Sequence, residues 1–187
     1  MYFHISIKYF YRLSDKILSA YPKIIYLKTS HNEKITNVNY MTNLKILDAY
    51  CYSGISDNGI KDINLFELNA SENEKITNIN HMNNLQILNA SGYYCGLDDN
   101  GIKNLNLIEL HVRNNRKITN VNHMTKLEIL DVSGYYCSID DNGIKDLNLI
   151  ELNASFNSKI KNVSYMTNLK ILNTSYDCGL RLGRYAL

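Results

Sequence analysis

The chain has 187 residues, with 20 basic and 18 acidic side chains and a formal net charge of +2, and this length predicts a single domain. No block of like charges occurs, which argues against binding to nucleic acid or to an acidic membrane. Charged residues are scattered through the N-terminal stretch, which resembles neither a signal peptide nor a membrane span, so we expect a cytoplasmic protein.

A short motif shows that the chain repeats itself. Lys-Ile-Thr-Asn begins at Lys34, Lys75 and Lys117 and returns as Lys-Ile-Lys-Asn at Lys159, at intervals of 41, 42 and 42 residues. Each unit of a repeat protein buries its apolar face against its neighbours, so this period predicts a solenoid. A stacked array of this kind offers a long surface instead of one convergent pocket.

In chain order, residues 1–23 come first and fit the repeat less well than the rest. Their apolar residues predict a strand at residues 4–8, and the stretch that begins at Leu13 is similar to the outer return of later units. We interpret residues 1–23 as a partial or capping coil, where a coil is one strand with the return that follows it. Residues 24–187 form an array of about eight coils, and the last is incomplete because the pattern stops after Leu180.

Each coil of the array opens with a leucine or isoleucine that recurs every 20 to 22 residues. A second leucine follows three residues later and a smaller residue two after that, as in Leu65, Leu68 and Ala70. This alternation predicts a short strand, because successive side chains of a strand point to opposite faces. After residues 4–8, the predicted parallel strands span residues 25–29, 45–49, 66–70, 86–90, 108–112, 128–132, 150–154 and 170–174.

The returns between strands are of two alternating kinds, which define short coils and long coils. The short return has an apolar residue at every third position, as in Ile76, Ile79 and Met82, and this favours an extended or 3₁₀-like path over an α-helix. The long return contains Asp-Asn-Gly-Ile, which predicts a capped helical turn. The long returns lack the alternating carboxylates and distal glutamate of a calcium loop, so we interpret Asp99 and Asp141 as helix caps.

The recurring pattern L-x-x-L-x-L-x-x-N/C resembles that of the leucine-rich repeat family, and it occurs in register eight times. The short coils resemble the internalin type of repeat. The long coils, with Cys-Gly-Leu-Asp-Asp-Asn-Gly-Ile, resemble the cysteine-containing type common in F-box substrate receptors. In composition and alternation the chain is most similar to leucine-rich repeat proteins of amoebal giant viruses, which would place it in the host-cell cytoplasm.

This resemblance implies an α/β repeat fold, a leucine-rich repeat solenoid. Its parallel β-sheet would be curved and lie on the concave side, with 3₁₀ or short helical turns on the convex side. The family's asparagine bonds the backbone of the turn and satisfies amides that a buried loop would leave unpaired. Here that asparagine corresponds to Asn32, Asn73, Asn115 and Asn157.

The cysteines fit this frame as buried thiols. Cys95, Cys137 and Cys178 occupy one position of successive long coils, so they lie two coils apart, on the order of 10 Å at a strand spacing of ~4.8 Å. A disulfide needs Cα atoms within roughly 7 Å, and a shared zinc ion needs its ligands closer still. Cys51 lies four residues before Ile55 instead of two, so we expect it outside this column and more exposed.

The sequence shows no catalytic constellation, metal site or cofactor motif. His81 and His123 share one outer position with Tyr40 and Tyr165, so they derive from the repeat. A catalytic site needs unlike groups that converge on one point, whereas this chain presents the same groups again and again. We therefore expect that the protein is not an enzyme.

One patch of the predicted sheet face departs from the repeat. The first outward column alternates isoleucine with glutamate, which keeps like charges apart on adjacent strands, and the next two columns are mostly asparagine and serine. His111 and Arg113 replace Asn and Ser there, with Glu109 and Asp131 beside them. We predict that these four residues bind a partner; a face that is merely solvated is the alternative.

A row of tyrosines follows the strands of the long coils and is predicted to flank this patch. Tyr93, Tyr94, Tyr135 and Tyr136 are its central members. Tyrosine is enriched at binding hot spots, although one member of each pair could pack on the coil below. The row also contains Tyr50, Tyr52 and Tyr176.

These observations predict a non-catalytic protein–protein interaction module, of which a substrate-recognition arm is one form. We expect the partner to be a protein, and we expect no binding to nucleic acid or to a membrane. The alternative is a structural or vestigial repeat array that self-associates through uncapped ends, because terminal repeats normally need a polar outer face.

Overall fold

A computed structural model describes residues 12–175 and 178–180 of the chain. Over these residues the protein is a parallel β-solenoid of about seven turns with eight strands and four one-turn helices. The solenoid predicted from the repeat is thereby confirmed. The strand predicted at residues 4–8 and Tyr176 lie outside the described residues.

The strands form one sheet in which each pairs in parallel with the next along the chain. Each is three residues long and lies within its predicted range. The strands are β1 Tyr26–Lys28, β2 Ile46–Asp48, β3 Glu67–Asn69, β4 Ile87–Asn89, β5 Glu109–His111, β6 Ile129–Asp131, β7 Glu151–Asn153 and β8 Ile171–Asn173. The helices are α1 Asp15–Leu18, α2 Asp57–Ile60, α3 Asp99–Ile102 and α4 Asp141–Ile144.

A column of leucines sets the register of the sheet. Leu47, Leu68 and Leu88 are the central residues of β2, β3 and β4; they pair with one another and are fully buried. A shift of one residue would turn these leucines to the other face, so their burial fixes the alignment of successive coils. The outward neighbours on either side of each central leucine remain accessible in these strands.

The short returns follow the predicted 3₁₀-like path. In the coil that opens at Leu65, the amide of Met82 donates to the carbonyl of Ile79 at 3.0 Å, and the amide of Leu85 donates to that of Met82 at 3.1 Å. Both bonds span three residues, as in a 3₁₀ turn. Since Ile79 and Met82 are fully buried, the apolar residue at every third position fills the core between coils.

The helix caps lie one residue earlier than predicted. Asp98 and Asp140 are the N-cap residues, and their side chains accept from the amides of Gly101 and Gly143. Our prediction that Asp99 and Asp141 are the caps is therefore wrong, because these two residues are the first residues of their helices. The first helix, α1, lies in the stretch that begins at Leu13.

Asp99 instead joins its long coil to the short coil that follows. One carboxylate oxygen accepts from the amides of Thr119 and Asn120 at 2.8 and 3.2 Å, and the other accepts from the Thr119 hydroxyl at 2.6 Å. Asp15 and Asp57 form the same three contacts in their own coils. This explains the threonine of the Lys-Ile-Thr-Asn motif: it pairs with an aspartate of the preceding helix.

The turn asparagines have the predicted role and connect adjacent coils. The Asn73 side-chain amide donates to the carbonyls of Ala49 and Ile55 in the preceding coil, at 2.9 and 3.2 Å. Its carbonyl oxygen accepts from the amide of Lys75 in its own turn, at 2.9 Å. Asn115 and Asn157 repeat this pattern.

The last described coil is less well covered than the others. Ile171 in β8 has 47% of its surface exposed, and Leu169, Leu172 and Leu180 are only partly buried. Cys178 is also partly exposed, so our prediction that it is a buried thiol is wrong.

Candidate functional site

The predicted patch on the sheet face contains one close contact between a carboxylate and an imidazole. Glu109 and His111 lie on the same face of β5, and His111 Nε2 is 2.6 Å from Glu109 Oε1. Their side chains are 29% and 33% exposed, so the pair remains accessible to a partner. The imidazole forms a salt bridge only when it is protonated.

Asp131 lies next to this pair, but its carboxylate bonds the backbone at the end of its own strand. Asp131 pairs with His111 in the register of β5 and β6, and its carboxylate accepts from the amide of Ser133 at 2.8 Å. Arg113 is exposed, and it has no ion pair among the residues that the structure describes. In this patch Glu109 and His111 contact each other, and Asp131 bonds its own strand end. The Arg113 guanidinium is therefore the group most accessible to a partner.

Three of the six serines in the column of Arg113 do not face solvent as predicted, whereas Ser91, Ser155 and Ser175 are partly exposed. Ser30, Ser71 and Ser133 are buried, with at most 6% of their surface exposed. The strands end before this column, and the chain then turns inward toward the return. Arg113 and Tyr50 are exposed at the same position, because their side chains are too long to be enclosed there.

The turn that follows each of the strands β1 to β7 places one residue in the left-handed region of φ. The φ values lie between 54° and 106°. Only two of these residues are glycine, so the sequence gives a weak signal for the turn. They are His31, Cys51, Glu72, Gly92, Asn114, Gly134 and Phe156.

The side chains of these left-handed residues support the tyrosine row. The Glu72 carboxylate accepts from the amide of Tyr94 at 3.0 Å, and the Asn114 side-chain oxygen accepts from the amide of Tyr136 at 3.3 Å. A Cβ atom at Gly92 would collide with the Glu72 carboxyl group. The glycine before the tyrosine pair thus leaves room for the side chain that holds the second tyrosine.

Three of the four predicted tyrosines form one aromatic cluster. The Tyr93 ring makes edge contacts with Tyr94 and Tyr136, at centroid distances of 5.2 and 5.8 Å. Tyr135 contacts Phe156 instead, at 5.3 Å. All four tyrosines remain exposed, so packing on the coil below does not remove either member of a pair from the surface.

Arg116 belongs to this cluster although sequence analysis did not single it out. Its guanidinium lies 4.6 Å from the centre of the Tyr93 ring, in a cation–π contact, and donates a hydrogen bond to the Tyr93 hydroxyl. A comparison of equivalent positions could have identified it, since the neighbouring short coils have Glu74 and Ser158 where this coil has Arg116. The cluster adjoins the patch through the backbone, where the Gly92 amide donates to the Arg113 carbonyl at 2.7 Å.

A cleft of about 440 Å³ lies at the same edge of the solenoid, one repeat earlier. It has aromatic walls, two carboxylates and one lysine. The lining residues are Tyr50, Cys51, Tyr52, Ser53, Glu72, Asn73, Glu74, Lys75 and Tyr94.

The histidines and tyrosines of the outer position hold neighbouring coils together. His81 Nε2 lies 3.0 Å from the carbonyl oxygen of Ile60, and the Tyr165 hydroxyl donates to the carbonyl of Ile144 at 3.0 Å. Burial raises the pKa of Tyr165, and the charges of Asp141 and Asp146 raise it further. Within residues 12–175 and 178–180, no group of three or more His, Cys, Asp or Glu side chains could hold a metal ion.

The thiol column is confirmed for the inner coils. Cys95 and Cys137 are buried, and burial raises the pKa of each to about 11. Cys51 is partly exposed because Ser53 occupies the buried position of the first long coil. The Ser53 hydroxyl lies 2.8 Å from that of Thr29.

The fold and this edge define the class of the protein as a parallel β-solenoid with an exposed aromatic edge. No protein-family model matches the sequence, and comparison with curated proteins gives no significant match. In the described part of the chain, no helix has the length and apolar character needed to cross a membrane.

We predict that the four thiols react at clearly different rates in the native protein. The thiolate is the reactive form, and access to it also limits the rate, so the partly exposed Cys51 and Cys178 should be labelled first. Cys95 and Cys137, with a pKa of about 11, should react only after denaturation. Mass spectrometry of protein quenched during labelling measures this order. Cys51→Ser should remove one of the two fast-labelling thiols, and Cys137→Ser should remove neither. Fast labelling of Cys95, or a disulfide between Cys95 and Cys137, would contradict the structure.

Proposed function

We propose that this protein is a leucine-rich repeat protein that acts as a non-catalytic protein–protein interaction module. A curved sheet with alternating internalin-like and cysteine-containing coils is the form of the family that we assign to it. The buried leucine at the centre of each inner strand and the buried asparagine of each short coil support this assignment. By the same resemblance, a giant-virus origin and a host-cell cytoplasmic location are part of the proposal.

The observation that carries the function is the contrast between the polar residues of the outer returns and those of the strand edge. Side chains such as Asp99, Thr119 and Asn122 use their polar groups to bond adjacent coils. At the strand edge, Arg113 and the tyrosines are exposed instead. Arginine and tyrosine are the residues most often found at interface hot spots, so this edge is the surface best suited to a partner.

A substrate-recognition arm is one form of this role, since an array without convergent groups can hold a protein for another component to modify. The mixed charges of Glu109, His111 and Arg113 would give specificity, because charged pairs at an interface select among partners. The tyrosines beside them would supply the apolar area.

The first test restores the repeat consensus in the patch. Exposed substitutions usually change the free energy of unfolding by no more than about 0.5 kcal/mol, so His111→Asn with Arg113→Ser should leave the fold intact. Capture of protein partners from an amoeba lysate, quantified by mass spectrometry, should fall at least tenfold, as expected when hot-spot residues are lost.

A second double variant serves as the control for the first. Asn153→His with Ser155→Arg makes the reverse changes on β7 and should leave capture through the original patch unchanged. Each captured protein is then purified and its affinity for the wild-type chain and both variants is measured. Equal affinity for the wild-type chain and the His111→Asn, Arg113→Ser variant would refute the role of the patch.

Self-association is a second candidate, favoured by the exposure of Ile171 and the incomplete burial of Leu172 in β8. A second copy that covers this strand would remove apolar surface from water. Light scattering should then give a mass above the 21.5 kDa of one chain, rising with concentration. Ile171→Lys should lower it, whereas Ile87→Lys on the inner strand β4 should not. A mass of one chain at all concentrations would eliminate this candidate.

A further inference from the structure

We propose that the cleft between the first long coil and the short coil after it binds the guanidinium group of an arginine side chain from a basic segment of a partner protein. Tyr50, Tyr52 and Tyr94 are its aromatic walls, and Glu72 and Glu74 are its carboxylates. This inference rests on the proposed interaction function and specifies the chemistry of the partner.

The walls of the cleft suit a cation. Tyr52 and Tyr94 are 70% and 66% exposed, so their rings are available to a ligand. The face of an aromatic ring carries negative charge and attracts a guanidinium within about 6 Å of its centre. A volume of about 440 Å³ accommodates one long side chain with part of its backbone.

The charges of the cleft also favour a cation. Glu72 uses one carboxylate oxygen to accept from the Tyr94 amide at 3.0 Å, which leaves the other oxygen for a ligand. Glu74 is exposed, and neither carboxylate forms an ion pair among the described residues. Lys75 is the cation of the lining, but its ammonium donates to the Ser53 carbonyl at 3.2 Å. Two carboxylates against one ammonium leave the cleft acidic.

The next repeat shows which group binds at this edge. There Asn114 and Arg116 take the places of Glu72 and Glu74. The Arg116 guanidinium lies 4.6 Å from the Tyr93 ring centre and donates to its hydroxyl, so the chain supplies its own cation. In the first cleft the same position is the carboxylate of Glu74, so a guanidinium bound there would come from another molecule.

Arginine fits these groups better than the other ligand classes do. Its planar guanidinium can stack on a tyrosine and still donate two parallel hydrogen bonds to a carboxylate, which a lysine ammonium cannot do. An acidic ligand would be repelled by Glu72 and Glu74. An apolar ligand would desolvate both carboxylates without pairing them, which is unfavourable.

The test uses nuclear magnetic resonance of the ¹⁵N-labelled full chain with three small probes. N-acetylarginine methylamide should shift the amides of Tyr52, Glu74 and Tyr94 in a saturable manner. The matching citrulline compound, which is neutral and of the same shape, should bind at least tenfold more weakly, and so should the lysine compound. Equal binding of citrulline would overturn the role of charge, and equal binding of lysine would overturn the role of the guanidinium.

Two variants locate the binding within the first cleft. Glu72→Gln with Glu74→Gln keeps an acceptor for the Tyr94 amide and should weaken the arginine probe at least tenfold. Glu67→Gln on β3 removes an equal charge from the sheet face and should have no effect. Asn114→Glu with Arg116→Glu rebuilds the acidic cleft one repeat later and should create new shifts at Tyr136. Unchanged affinity in the first variant would refute the site.

The same variants separate this inference from the proposed function. If the arginine probe binds as described but no protein is captured by the wild-type chain, the interaction function fails and the cation site stands. If a partner is captured equally well by the wild-type chain and by the Glu72→Gln, Glu74→Gln variant, the partner does not use this cleft, and the present inference fails alone.

Discussion

The side-chain amide of the turn asparagine is the interaction on which the stacking of coils depends. Asn73 donates to two carbonyls of the preceding coil, accepts from its own turn, and accepts through its backbone carbonyl from Gly96 of the following coil. Three coils therefore meet at one buried residue. In the long coils, Cys95 takes this position and its thiol donates to the Ala70 carbonyl at 3.6 Å, a weaker bond. The connection of Cys95 to the preceding coil is thus weaker than that of Asn73.

Much of the fold could be predicted because each coil repeats the same physical problem. A leucine at the centre of each three-residue strand must be buried, and eight in-register copies fix both the strand positions and their parallel order. The caps could be placed only to within one residue, because Asp98 and Asp99 are identical in type and only geometry distinguishes them. The partial exposure of Cys178 could not be predicted from a position that it shares with the buried Cys95 and Cys137.

The candidate site was predicted less completely, because outward side chains are not constrained by packing. The departures at His111 and Arg113 were visible as breaks in a column, and the structure pairs His111 with Glu109. The contact of Arg116 with Tyr93 joins two coils across a turn, and the left-handed residues Gly92 and Asn114 lie within two residues of Tyr93 and Arg116. Because such residues are normally glycine, a turn with Asn114 at this position has little signal in the sequence.

Hydrogen exchange of Asn73→Ala, compared with Asn83→Ala, tests the role of the turn asparagine most directly. Asn73 is buried and Asn83 is exposed on the same short coil. If Asn73 connects the coils, its loss leaves buried backbone groups unpaired, and the free energy of unfolding should fall by roughly 1 to 3 kcal/mol. Amides of both flanking coils, those of β2 and β4 included, should then exchange faster, while Asn83→Ala should change neither. Unaltered protection of β2 and β4 in Asn73→Ala would contradict this account.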